Sequence, residues 1–92
     1  MYAITFDLVV EELMKHYPTA YNNAYGDIGK FLNTKGFSRQ QGSVYFGNEE
    51  INAVTTVVAI TEMSQALPWF KQCVSDIRML RIEENNDLTV AL

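Results

Sequence analysis

The chain has little of what most catalytic or metal-binding signatures are built from. It has one cysteine (Cys73), one histidine (His16) and two prolines in 92 residues. A lone cysteine cannot form an internal disulfide, and one histidine with one thiol falls short of the ligands that a zinc site takes. The five glycines are scattered, which excludes a glycine-rich phosphate loop. Apolar runs such as Val57 to Ile60 are far shorter than the ~20 residues that a bilayer-spanning helix needs. Basic charge is also scarce, since seven basic residues face eleven acidic ones for a net charge of −4. Coating of nucleic acid by bulk positive charge is thereby excluded, while a local basic patch stays open. With no charged and then apolar leader pattern at the start, the lone thiol predicts a reducing, cytoplasmic setting and no membrane association.

What is present suits one domain spanning residues 1–92. At 48% hydrophobic the chain can fold, but a domain of this size buries only about 60–65% of the surface exposed by its unfolded form. A second copy is therefore an expected partner. Residues 2–8 alternate, with Tyr2, Ile4, Phe6 and Leu8 on one face and Ala3, Thr5 and Asp7 on the other, which predicts a strand. From Pro18, Tyr21, Ala24, Tyr25, Ile28, Phe31 and Leu32 recur at helical spacing until Gly36, predicting one long helix. Gly26 and Gly29 inside it each cost about 1 kcal/mol against alanine, so they mark either weakness or close packing.

Residues 37–40 and 43–47 read as two short strands joined by a hairpin turn at Gly42. Asn48 reads as the N-cap of a second helix, with Glu49 and Glu50 in its first turn and its end before Pro68. Its middle, Val54 to Thr61, is β-branched enough for a strand, but Ala53, Val57, Ile60, Ser64 and Leu67 keep helical spacing. Trp69 and Phe70 read as a plug for the sheet edge. Residues 74–84 form a last strand with Ile77 and Met79 on one face and Leu80 and Ile82 on the other. The order strand, helix, strand, strand, helix, strand predicts an α+β ferredoxin-like fold, a single antiparallel sheet with two helices on one face. The uncovered face would meet its copy in a two-fold dimer.

In that topology Asp7 ends the central strand beside the beginnings of the third and fourth strands, which carry Ser43 and Asp76. Arg39 and Arg78 fall at the same end. Such a group suits transfer or hydrolysis at a phosphodiester: carboxylates act as base or hold a hard cation, and guanidiniums neutralise phosphate. The same residues also admit structural readings. Taken without the topology, Asp7 reads sooner as a solvated strand end or an ion-pair partner of Arg78 and Ser43 as a turn residue, while Asp76 with Arg78 reads as readily as a simple ion pair. His16, before Pro18, reads as a loop residue; Tyr2, Tyr21, Tyr25 and Tyr45 are of a type that stacks on bases, though three of them fit the apolar patterns above and read as core.

Met1-Tyr-Ala-Ile-Thr-Phe-Asp-Leu8, Gln41-Gly-Ser-Val-Tyr45, Trp69-Phe70, Ser75-Asp-Ile-Arg78 and Asn86-Asp-Leu-Thr89 together resemble the virulence-associated protein D family of bacterial toxins. The resemblance spans essentially the whole chain, and that family is in turn similar to a small ferredoxin-like CRISPR-associated nuclease that works as a homodimer. It implies a cytoplasmic endoribonuclease acting on single-stranded RNA, the toxin of a toxin–antitoxin pair, with an antitoxin protein as a further partner. The catalytic residues it implies are Asp7, Ser43 and Asp76; the chemistry of the gathered residues adds Arg39 and Arg78 on the substrate and Asp7 as a candidate ligand for Mg2+ or Mn2+. Competing readings are a catalytically silent dimerisation module and a small-molecule-binding regulatory domain.

Overall fold

The computed structural model describes residues 1–92. Four strands, β1 (Tyr2–Leu8), β2 (Phe37–Gln41), β3 (Val44–Gly47) and β4 (Val74–Arg81), form one antiparallel sheet in the order β2-β3-β1-β4. This is the expected ferredoxin-like arrangement, with β1 paired on both sides. The alternation of β1 decides its two faces. Ile4 and Phe6 are buried in the core, and Ala3, Thr5 and Asp7 look out through the uncovered face.

Each crossover holds two helical pieces rather than one. The first is α1 (Val10–His16), a 3₁₀ turn at Tyr21–Asn23 and α2 (Ala24–Thr34). The expected helix from Pro18 thus begins six residues later, and a helix stands where none was read. α1 follows β1 with only Val9 between, and it carries Glu11 and Glu12 in its first turn and Lys15 and His16 in its last, matching the helix dipole. Leu13 is its single buried residue, too few for a periodic apolar stripe. His16 therefore ends a helix instead of lying in a loop, with Nε2 3.3 Å from Glu12. Gly36 closes the α2 segment at φ +92, as a left-handed residue following the C-cap should.

The second crossover is α3 (Ala53–Ala66) followed by α4 (Pro68–Cys73). Asn52, not Asn48, caps α3: its side chain accepts from the Thr55 amide while the Thr55 hydroxyl accepts from the Asn52 amide, both at 2.9 Å. Asn48 instead accepts from the Glu50 amide in a local turn. The β-branched run does form the helix. Pro68 occupies the first turn of α4, which seats Trp69 and Phe70 in the core and not at the sheet edge. Trp69 meets Tyr17 edge-on at 5.0 Å and Phe70 meets Phe6 at 5.8 Å. All four helices supply the same core as Ile4, Phe6, Phe37 and Tyr45, so one sheet face is covered. The other faces solvent.

The two interior glycines of α2 differ. A Cβ at Gly26 would meet nothing within 4 Å, whereas one at Gly29 would lie 3.2 Å from the Tyr45 hydroxyl. Gly26→Ala should therefore stabilise the protein by about 0.5–1 kcal/mol. Gly29→Ala should gain less, because the buried Tyr45 must shift. Urea unfolding of both variants checks this, and equal gains would contradict it.

Two tyrosines set an alkaline limit. Tyr17 donates to the Asp27 carboxylate at 2.6 Å, and that bond raises its pKa, while burial raises that of Tyr45 against the opposing charge of Arg39. The folded state then keeps protons that the unfolded chain releases above about pH 10, so stability is complete below that pH and falls as pH climbs further. Urea midpoints measured from about pH 9 to about pH 11 should decline, and Tyr45→Phe should flatten the decline.

Candidate active site

The open face of the sheet carries three rows. Ala3 lies between its partners Phe46 and Leu80, Thr5 between Val44 and Arg78, and Asp7 opposite Asp76. The first row is apolar; Ala3 is wholly buried there, while Phe46 is half-buried and Leu80 is 45% exposed. The last row sets two carboxylates directly across from each other on adjacent strands. Cross-strand partners of like charge destabilise a sheet by several tenths of a kcal/mol or more.

Arg78 relieves it in part. Its Nε donates to both oxygens of Asp76, at 3.0 and 3.2 Å. The ion pair expected on structural grounds is thus present, and it engages a single guanidinium nitrogen. The side chain is 70% exposed, leaving Nη1 and Nη2 open to solvent. Ser43 reaches this end through the chain, its carbonyl accepting from the Phe6 amide at 3.3 Å, next to Asp7 in sequence. The structure therefore gathers Asp7, Ser43, Asp76 and Arg78 at one end of the sheet.

Arg39 joins only in part. Its register partner is Tyr45, which places it toward the helix-covered face, and its Nε donates to the Gly42 carbonyl at 2.8 Å across the hairpin turn. The guanidinium thus sits by the residue before Ser43 and not beside Asp7. Among the tyrosines, Tyr45 is core and Tyr25 and Tyr2 are half-buried, while Tyr21 is 38% exposed on the 3₁₀ turn. None stands in the rows around Asp7.

Sequence reasoning missed one neighbour of Asp7. The β1–β4 register slips after Asp7, so that Leu8 pairs with Val74 and Ser75 is left without a partner, as a bulge. The Ser75 hydroxyl donates to the main-chain carbonyl of Asp7 at 3.3 Å. The signal in the sequence was the spacing of Val74 and Ile77, apolar residues three apart in a strand where an even spacing keeps one face.

For a divalent cation the donor set in one chain is the facing pair Asp7 and Asp76, and no group of three or more histidine, cysteine, aspartate or glutamate side chains converges. Two carboxylates fit Mg2+, which commonly takes one or two together with water and substrate phosphate. They do not make a closed protein cage.

Residues 1–90 match the family described as CRISPR associated protein Cas2. Over its full length the chain is 48% identical to the protein named Endoribonuclease VapD 2 from Riemerella anatipestifer, spanning 99% of that relative. It is 50% identical to an Endoribonuclease VapD homolog from Helicobacter pylori, again over the whole chain and 96% of the relative. Over 97% of its length it is 48% identical to Endoribonuclease VapD from Dichelobacter nodosus, covering 94% of that protein. No helix of the structure is long and apolar enough to cross a membrane. A ferredoxin-like sheet with an acidic pair at the end of its first strand, matched along its length at this identity, makes the chain a member of the Cas2 family on its VapD side.

Proposed function

We propose that this protein is an endoribonuclease that cleaves single-stranded RNA as a homodimer and serves as the toxin of a toxin–antitoxin pair in the cytoplasm. The observation that carries the activity is the facing of Asp7 and Asp76 on the open sheet face, with Arg78 beside them. The activity for which the VapD relatives are named supports the same substrate class.

In this reading Asp7, exposed and free of any ion pair, accepts the proton of the attacking oxygen. Arg78 offers its two free terminal nitrogens to the phosphate, for which a guanidinium fork is well matched. Its bond to Asp76 keeps the fork in place before substrate arrives. Ser43 adds a hydroxyl donor from the hairpin end, and Arg39, held on the Gly42 carbonyl across the turn, meets RNA that runs past the hairpin and not the phosphate at Asp7. A Mg2+ or Mn2+ ion held by Asp7 and Asp76 would add charge stabilisation of the phosphate oxygens. A silent dimerisation module requires none of these groups and gains nothing from opposed carboxylates. A regulatory site for a small ligand calls for an enclosed apolar pocket, whereas Asp7 lies exposed on an open sheet face.

The dimer accords with the rest of that face. Ala3, Val44, Phe46 and Leu80 form an apolar floor beside the polar row, and small Ala3 and Thr5 let a second sheet approach. A two-fold axis through this face brings the two Asp7 residues near each other. An antitoxin protein would silence the enzyme by covering this polar row or by separating the pair.

Light scattering at micromolar concentration should report about twice 10.5 kDa. Asp7→Asn, nearly isosteric, should keep the fold and lower RNA cleavage by at least ~100-fold; expression of the wild type should be toxic and that of the variant tolerated. Equal cleavage by both would refute the assignment of Asp7. A heterodimer with one Asp7→Asn chain should fall well below half activity if both carboxylates serve one site, as residues acting as a unit do. Activity lost with a chelator and restored by magnesium would place the cation in the reaction.

A further inference from the structure

We infer that Ser75 is a positioning residue for Asp7, fixing the end of the first strand through its side-chain bond to the Asp7 backbone; the inference rests on the reading of Asp7 as the catalytic carboxylate. In an unbroken β4, Ser75 would point into the core and Val74 outward. The bulge reverses this: Val74 and Ile77 both pack against the core although three residues apart, and Ser75 and Asp76 both turn to the open side beside Asp7. Two residues of β4 thus stand opposite Asp7. One is the carboxylate of Asp76, and the other is a hydroxyl.

The Ser75 hydroxyl is the only side chain bonded to the Asp7 main chain. That bond acts where the strand has few other restraints. Beyond Asp7 the chain leaves the sheet within two residues: Leu8 pairs with Val74, the Val9 amide bonds to the Cys73 carbonyl, and α1 begins at Val10. On its β3 side, the last register pair is Thr5 with Val44. Asp7 therefore has a strand partner on the β4 side only, and that side is where the register slips. A bulge leaves its extra residue outside the ladder and bends the strand. The Ser75 hydroxyl adds a side-chain restraint on the Asp7 carbonyl at that slip, and the setting of the Asp7 main chain sets the direction of its carboxylate. A residue without a side-chain donor lacks that restraint, whatever its size.

The bond is exposed, so its loss costs the fold little. Its effect should appear in turnover instead. For Ser75→Ala, kcat on single-stranded RNA should drop about tenfold with KM within about twofold of wild type, since small misplacements of a reacting group cost far more in rate than in binding. Ser75→Thr keeps the hydroxyl and suits a strand, and it should restore most of the rate. The thermal midpoints of all three proteins should agree. The 13C shift of the Asp7 carbonyl should move in Ser75→Ala and return in Ser75→Thr, and this readout needs no activity. An unchanged kcat in Ser75→Ala, a loss confined to KM, a threonine variant as slow as the alanine variant, or an unmoved Asp7 carbonyl shift would each overturn the inference. If wild-type protein and the Asp7→Asn control are equally inactive on RNA, the ribonuclease reading fails, and the carbonyl shift alone decides whether Ser75 holds Asp7.

Discussion

The structure depends on a seven-residue strand that is paired on both sides and must serve two environments at once. Each inward residue of β1 (Ile4 and Phe6) enters the core shared by all four helices, and each outward one (Ala3, Thr5 and Asp7) is small or polar. A period of two leaves no freedom in this assignment, since a slip of one residue would bury Asp7 and expose Phe6. The partners inherit the constraint. Tyr45 and Ile77 follow Ile4 and Phe6 inward, and Val44, Phe46 and Asp76 follow the outward set. The position of the acidic pair is thus settled by the core on the opposite face of the same sheet.

That dependence explains what could be read from the sequence. The alternation of residues 2–8 is a local pattern, and topology alone carries Asp7 to the starts of β3 and β4, so the gathering of Asp7, Ser43 and Asp76 was legible in the chain itself. The hairpin at Gly42 was legible for the same reason, because a left-handed residue, here at φ +50, leaves a chemical mark. Helix boundaries were less so. Asn48 and Asn52 both precede residues that could begin a helix, and the choice falls to Asn52 because Thr55 completes a reciprocal pair of bonds there. α1 buries only Leu13 and is held by its neighbours, so its apolar periodicity is nearly silent. Arg39 lies near the expected end of the sheet, but its pairing with Tyr45 turns it toward the helix-covered face, a relation between strands that β2 read alone does not show.

The bulge at Ser75 belongs to the same class. A bulge is a relation between two strands, and one strand read alone shows it only as an interrupted alternation. Here the interruption has a consequence for both layers of the protein. It returns Val74 to the core that holds Cys73 and Phe70, and it delivers two adjacent polar residues to the open face. A single inserted residue thus reconciles a core that needs Val74 with a site that needs Asp76.

The charge distribution obeys the same division of faces. All three arginines, Arg39, Arg78 and Arg81, lie on the edge strands β2 and β4, and the four lysines lie on the helices or at the end of α2. Among the lysines, Lys15 is paired with Glu12 and Lys35 with Glu62, so much of the positive charge of the helical layer is neutralised locally. Arginine is the side chain suited to planar, two-point recognition of phosphate, and lysine acts as a point charge. A protein of net charge −4 cannot draw a polyanion by its overall field. Under the proposed function, a few forked donors at the sheet margin take the place of an overall field. The apolar rows and the scarcity of positive charge thus bear on the same proposal: with so few cations, the proposed dimer would enclose the polar row between two copies of the open face and strengthen each contact there.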